Sequence, residues 1–153
     1  MIAITSFADA TALVGTHLGY SDYLEITQER VNQFAEATGD HQWIHVDAER
    51  AASGPFGGTI AHGYLTLSLG PMLIHDVVSW QNIRMGVNYG LGKVRFPSPV
   101  PVGARLRLGA TLLEAEDLGD GGVQARMELV FETEGSAKPA CVAELLLRYY
   151  FER

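Results

Sequence analysis

The stretch that decides the fold runs from Thr38 to His75 and reads TGDHQWIHVDAERAASGPFGGTIAHGYLTLSLGPMLIH. It carries four of the five histidines, a glycine-rich turn and the most apolar helix candidate in the chain. Apolar residues lie on nearly every side of that helix, which we predict from Ala61 to about Val78. A helix that is apolar all round must be buried all round. In a chain of 153 residues only a curved sheet has enough surface to wrap it.

The same stretch begins where an earlier helix is expected to stop. Thr27 is a good N-terminal cap, apolar residues then recur with helical spacing, and Gly39 is the residue type that ends helices in the left-handed conformation. We therefore expect Asp40 just past a helix end, with His45 five residues later in a chain that is no longer helical. Asp47 is the predicted cap of a short second helix.

The second half of the sequence predicts antiparallel strands. Apolar and polar residues alternate with a period of two, most clearly over 123–132. The predicted strands cover residues 87–96, 104–115, 123–132 and 141–151. Short polar turns join the last three, which makes a meander. We therefore predict an α+β fold in which residues 1–153 form a single domain, with one long central helix and an antiparallel sheet curled around it, as in the hot-dog fold.

Composition excludes several classes of partner. The net charge of −7 argues against nucleic-acid binding, because phosphate contacts need clustered Lys and Arg. His62, His75 and Asp76 leave no uncharged apolar run of the roughly 18 to 20 residues that span a membrane. Residues 1–12 lack the pattern of a signal peptide, and the single Cys141 fits a reducing compartment. We expect a soluble cytoplasmic protein.

Three short motifs carry a resemblance to a known family. The run Ala37-Thr38-Gly39-Asp40, then His45, then Ala61-His62-Gly63 resembles the MaoC-like dehydratases, the (R)-specific enoyl-CoA hydratases of the hot-dog class. Within them the nodulation-protein-N-like subgroup is the most similar. The resemblance covers most of the chain, through residues 88–90 and 93–97 to 102–103, and it is most specific over Gly39 to His45 together with His62-Gly63.

The resemblance implies a reaction and the residues that perform it. Asp40 and His45 would hold and activate the water that adds across the double bond of a trans-2-enoyl thioester of coenzyme A. The backbone N–H of Gly63 would polarise the thioester carbonyl. Such a hydration needs a base, an acid and donors for the developing enolate-like charge, which a carboxylate, an imidazole and a helix N-terminus supply without a metal or cofactor.

Two departures from the family pattern concern the substrate pocket. Gln42-Trp43 stands where many members have Asn-Pro, and Gly70-Pro71 stands where some carry a small polar residue. Gln42 can still donate and accept hydrogen bonds, so we place it, with His62 and Asn88, among the substrate contacts. A structural role at the end of a strand explains Asn88 equally well. Pro71 predicts a kink in the central helix.

Coenzyme A carries phosphates, so an acidic protein needs local positive charge to bind it. Arg84, Lys93 and Arg95 belong to the densest basic stretch and are candidates for the cofactor-binding entrance. Solvated strand faces explain these cations equally well.

Each candidate residue also has a structural alternative. Asp40 fits an ordinary turn, and His45 and His62 fit core histidines. His41 and His45 have the spacing of a zinc motif, but that motif needs both on one helix and a Glu at position 42, so we predict no metal. Two other functions stay open: a hot-dog thioesterase, and a noncatalytic acyl-thioester binding subunit. Exposed sheet edges lead us to expect a homodimer.

Overall fold

The computed structural model describes residues 1–152 of the chain, and this part contains six helices and eight strands. The helices are α1 (Phe7–Ala12), α2 (Gln28–Thr38), α3 (Trp43–Val46), α4 (Ala48–Ala52), α5 (Gly63–Ser68) and α6 (Gly70–Ile74). The strands are β1 (Ile2–Ile4), β2 (His17–Tyr20), β3 (Leu24–Glu25), β4 (Val78–Trp80), β5 (Ile83–Arg95), β6 (Arg105–Gly119), β7 (Gly122–Thr133) and β8 (Cys141–Phe151).

The main sheet is antiparallel and follows the order β2-β6-β7-β8-β5, with β3 also paired to β6. Strands β6, β7 and β8 form the predicted meander. Asp120 and Gly121, with φ of 51° and 76°, turn β6 into β7. Positive φ at both central residues is the geometry that matches the twist of a hairpin. The short strands β1 and β4 form a separate parallel pair that the sequence did not predict.

The core lies between the concave face of this sheet and the pair α5 and α6. Alternate side chains of the meander strands point inward and are almost completely buried; among them are Leu106, Leu108, Leu112, Met127, Leu129 and Phe131. Leu65, Leu69 and Leu73 meet them from the helices at 3 to 6 % exposure. The arrangement confirms the predicted hot-dog fold.

The central helix is shorter than predicted and interrupted. Instead of one helix over 61–78, α5 ends at Ser68 and α6 starts at Gly70. Pro71 explains the break near the predicted kink, because it has no N–H to donate to the carbonyl of Leu67 and its ring crowds that carbonyl. The prediction of burial all round was also wrong, since Tyr64 is 72 % exposed and Met72 is 44 % exposed.

The helix before the site forms as predicted, and so does the short helix capped by Asp47, but the segment between them differs from the prediction. The Thr27 hydroxyl accepts a hydrogen bond from the Arg30 N–H at 3.2 Å, and Gly39 ends α2 with φ of 78°. His45 was expected outside any helix, yet it lies in α3, a single turn closed by the Asp47 N–H donating to the Trp43 carbonyl at 3.0 Å. Four residues are too few for helical periodicity to be visible in a sequence.

Among the described residues, none of the helices combines the length and the apolar character needed to cross a bilayer.

Candidate active site

Asp40 and His45 are placed by the end of α2 and the single turn of α3. The left-handed Gly39 reverses the chain, which releases Asp40 from the helix. The Gln42 backbone N–H then donates to the Asp40 carboxylate at 3.3 Å. From the start of α2, the Gln28 side-chain amide donates to the His45 carbonyl oxygen at 2.7 Å and so ties α3 to α2.

The hydrogen bonds of His45 determine its tautomer. Its Nδ1 lies 2.8 Å from the carbonyl oxygen of Ile60. Because a carbonyl only accepts, Nδ1 carries the proton in the neutral ring and Nε2 is left with a lone pair. His45 is 6 % exposed, so the ring is held almost entirely inside the protein. It is therefore a preoriented proton acceptor.

His62 lies directly beside this ring. The two imidazoles stack with centroids 3.9 Å apart and planes 24° apart. The Nε2 of His62 donates to the Asp40 carbonyl oxygen at 2.9 Å. Burial lowers the pKa of His62, and the neighbouring His45 acts in the same direction, whereas the hydrogen bond to Asp40 opposes the shift. Burial of the ring thus favours its neutral form.

Gly63 follows as the first residue of α5, where a backbone N–H has no acceptor within the helix. The ring of Phe96 packs against it so closely that a Cβ on Gly63 would lie 3.2 Å from three ring carbons. Glycine at this position therefore lets both Phe96 and a ligand approach the N–H.

These residues surround one small cavity. Asp40, His45, His62, Gly63, Tyr64 and Phe96 line a space of about 250 Å³. A second space of about 150 Å³ shares His45, Gly63 and Phe96 with it and extends toward Thr66 and Val100. A carboxylate, an imidazole lone pair and a helix-start N–H on one cavity suit proton transfer next to a polarised carbonyl.

Three side chains of this cavity, those of Asp40, His45 and His62, also form a candidate ligand set for a metal ion. Asp40, His45 and His62 offer one ligand atom each, all within 4.8 Å of one another. His41, whose spacing from His45 mimics a zinc motif, is not part of this group. His41 Nε2 lies 2.6 Å from a Glu36 carboxylate oxygen, and this hydrogen bond raises the pKa of His41.

Comparison with known proteins assigns this arrangement to a family. Residues 9–132 match the family described as MaoC like domain. The 3-hydroxyacyl-thioester dehydratase Z of Mycobacterium tuberculosis is 58 % identical over 149 residues, which cover 97 % of this chain and 99 % of that protein. The chain belongs to the MaoC-like dehydratase family. Nodulation protein N of Rhizobium leguminosarum bv. viciae is 42 % identical, over 96 % of the dehydratase chain and 92 % of the relative.

A solved structure supports the fold of the dehydratase. The (R)-hydratase from A. caviae, described as involved in PHA biosynthesis, superposes with a TM-score of 0.71. The match covers 88 % of this chain and 94 % of that one at 23 % sequence identity. Both chains therefore share the hot-dog fold.

The other predicted site residues of the dehydratase lie outside the cavity that Asp40 and His45 line. Gln42 is exposed, and its backbone N–H reaches Asp40. Asn88 lies on β5, where it lines two further cavities beside Pro71. Trp43, expected in the pocket wall, packs against Gly54 and under the Arg50 guanidinium, 4.3 Å from its ring centroid.

The three cations predicted to bind coenzyme A lie on β5, with Lys93 and Arg95 at one end of the strand and Arg84 at the other. Arg84 and Arg95 are eleven residues apart on one strand, which is roughly 36 Å at about 3.3 Å per residue. Lys93 and Arg95 are at the end next to Phe96, whereas Arg84 lies over the Tyr150 ring. Over residues 1–152, the ion pairs involve His41, Arg105, Arg107 and Arg126, so Lys93 and Arg95 keep their charge available.

Sequence reasoning missed several residues that build the site of the dehydratase. Phe96 lines the cavity, and Gln28 holds α3 while accepting a hydrogen bond from the Thr59 hydroxyl at 2.6 Å. Gln28 and Thr59 are 31 positions apart, so no local pattern connects them. Phe96 could have been found only as the neighbour of the predicted cations.

Proposed function

We propose that this dehydratase adds water to trans-2-enoyl thioesters of coenzyme A to give (R)-3-hydroxyacyl thioesters, and runs the reverse dehydration. The observation that carries the proposal is the single cavity lined by Asp40, His45 and Gly63. The name of the 58 % identical relative, a 3-hydroxyacyl-thioester dehydratase, supports the substrate class. The (R) configuration comes from the family resemblance.

Each group at the cavity has one task in this reaction. The thioester carbonyl accepts a hydrogen bond from the Gly63 N–H, which stabilises the enolate-like charge as it develops. Water sits between the Asp40 carboxylate and the bare Nε2 of His45. Asp40 and His45 thus act as a catalytic dyad. One of them takes a proton from the water as the hydroxyl adds to the β carbon, and the dyad then returns a proton to the α carbon. The dyad therefore ends the cycle in its starting protonation state.

A separate apolar space lies farther along the central helices. Leu67 lies one helical turn after Gly63 and lines a larger space of about 440 Å³ with Leu91, Leu129 and Leu145. Asn88 is at the edge of that space. We assign it to the acyl chain. We assign Lys93 and Arg95, which shortly precede the cavity-lining Phe96 in the chain, to the phosphates of coenzyme A.

A homodimer forms part of the proposal. Strand β5 is one of the two edge strands of the sheet, and its side chains at Met85, Val87, Tyr89 and Leu91 are 38 to 53 % exposed. A long apolar edge strand is a template for pairing with another chain. A second copy paired at β5 would cover this edge and the exposed face of α5 and α6.

A spectroscopic assay tests the reaction itself. Purified protein is mixed with crotonyl-CoA, and the ultraviolet absorbance of the conjugated enoyl thioester is followed. We expect the absorbance to fall and the product to be oxidised by an (R)-specific, but not an (S)-specific, 3-hydroxyacyl-CoA dehydrogenase. Free thiol is measured in parallel, because hydration releases none. Thiol release without formation of a 3-hydroxyacyl product would favour the thioesterase, since hydrolysis of the thioester also removes its absorbance. No turnover with crotonyl or longer enoyl chains would contradict the proposal.

A further inference from the structure

We propose that His62 is a positioning residue for the dyad: it holds Asp40 through a backbone hydrogen bond and fixes the plane of the His45 ring by stacking. The inference rests on the proposed function and adds a residue to it. It also replaces the expectation from the sequence that His62 contacts the substrate.

The first contact joins His62 to Asp40. Its Nε2–H donates to the carbonyl oxygen of Asp40, 22 residues earlier in the chain, at 2.9 Å. Asp40 itself is exposed and lies in a turn between two helices. A backbone in such a turn is free to move unless something holds it, so this hydrogen bond limits where the Asp40 carboxylate can lie.

The second contact is made by the faces of the ring. His62 has Phe34 at a centroid distance of 4.9 Å and His45 at 3.9 Å, so it packs between α2 and α3. The ring of His45 is held at Nδ1 by the Ile60 carbonyl, which still allows rotation about that bond. Stacking on His62 removes this freedom and sets the direction of the Nε2 lone pair.

The nitrogen atoms of His62 are not available to a substrate. Nε2 is engaged with Asp40, and Nδ1 is buried with no hydrogen-bond partner among the described residues. The buried Nδ1 lone pair of His62 has no donor, which is unfavourable, so an apolar ring would suit packing better at this position. The site therefore requires two things of this residue: a flat ring to stack on His45 and a donor for the Asp40 carbonyl. A histidine satisfies both requirements at once, since it offers a flat ring and an N–H donor.

Two substitutions separate the two contacts. His62→Phe keeps a flat ring but loses the donor, and His62→Gln keeps an N–H donor but loses the stacked ring. We expect each to lower kcat on crotonyl-CoA by about 10- to 100-fold, as small misplacements of reacting groups do, with KM within about twofold. His41→Phe is the control, because His41 is exposed and bonded to Glu36.

The rival roles give different kinetics. A substrate contact would raise KM and leave kcat unchanged, which would overturn the inference. A merely structural residue would lower the thermal midpoint while the folded fraction kept the wild-type kcat, which would also overturn it.

A measurement without turnover separates this inference from the proposed reaction. Nitrogen-15 NMR of the imidazoles reports which nitrogen of His45 is protonated and how rigid the ring is. We expect His62→Gln, which loses the stacked ring, to make the His45 ring less rigid, whereas His62→Phe and His41→Phe leave it rigid. Unchanged His45 signals in His62→Gln would overturn the positioning role, whatever the wild-type protein does with enoyl thioesters.

Discussion

At the scale of single residues, the site depends on how two histidines are held. His45 and His62 both donate to backbone carbonyls, but through opposite nitrogens, Nδ1 in His45 and Nε2 in His62. The sequence identified both residues through the motifs of the family. It could not predict their tautomers, because the acceptors at Ile60 and Asp40 are brought to them only by the folded chain.

The lowered pKa of His62 has a consequence for stability. Since burial depresses this pKa below the ordinary value of 6.5, the unfolded chain binds more protons between the two values. The contribution of His62 is therefore complete above pH 6.5 and is lost as the pH falls through the lowered pKa. In urea titrations we expect the wild type to lose stability over that acid window and His62→Phe to lose less. If the unfolding free energy of the wild type and of His62→Phe fell equally as the pH drops below 6.5, the result would contradict this assignment.

His41 predicts the opposite dependence and serves as a comparison. Its pKa is raised by the Glu36 hydrogen bond, so its contribution is present below 6.5 and is lost as the pH rises through the raised pKa. In the same urea titrations, His41→Gln should weaken the pH dependence of the unfolding free energy above pH 6.5. Below that pH, its loss of stability should equal that of the wild type.

Gly63 gives a prediction about close approach. In Gly63→Ala the new methyl group would lie 3.2 Å from the Phe96 ring, so the ring must move within the cavity. We expect a loss of about 10- to 100-fold in kcat/KM on crotonyl-CoA. Gly58→Ala is the matched control, because a Cβ there meets nothing within 4 Å. Equal activity of the two variants would show that the cavity does not need this glycine.

At the scale of secondary structure elements, the sequence predicted features that depend on neighbouring residues, but not contacts between residues far apart in the chain. The start of α2 at Thr27 and its end at Gly39 depend on residues within one turn, so the sequence predicted them correctly. The joining of α2 to α3 depends on Gln28 and His45, which are 17 positions apart. A kink in the central helix was predicted from Pro71, whereas its division into α5 and α6 and the exposure of its outer face were not.

The role of Gln28 in joining these elements can be measured. Gln28→Ala leaves the His45 carbonyl and the Thr59 hydroxyl without their partner, and we expect it to cost about 1 to 3 kcal/mol of unfolding free energy in urea. With Thr59→Val, the double variant should be less destabilised than the sum of the two single variants, because both remove the same hydrogen bond. Strict additivity would mean that the two side chains act independently.

At the scale of the whole molecule, the sheet leaves one long edge open. The meander and its register follow from the period-two pattern, so the sequence predicted them well. It could not show that, within residues 1–152, β5 pairs with β8 alone and leaves apolar side chains exposed beside the central helices, since this depends on how far the sheet curls.

The open edge predicts the oligomeric state. We expect a dimer by light scattering coupled to gel filtration, and we expect Val87→Lys on β5 to shift it to the monomer, because a charge on the edge opposes strand pairing. Leu118→Lys, at the β6–β7 hairpin, is the matched control, since Leu118 is 36 % exposed and Val87 38 %. A wild-type monomer, or equal behaviour of both variants, would contradict pairing at β5.

The most direct test of the central claim compares the dyad variants in one assay. Crotonyl-CoA hydration is measured for the wild type, Asp40→Asn, His45→Gln and the neighbouring control His41→Gln. We predict that the first two variants lose about 10²- to 10⁴-fold in kcat, the usual contribution of a general acid or base, while His41→Gln retains the wild-type rate. Hydration that persists at the wild-type rate in Asp40→Asn or His45→Gln would contradict the assignment of water activation to this dyad.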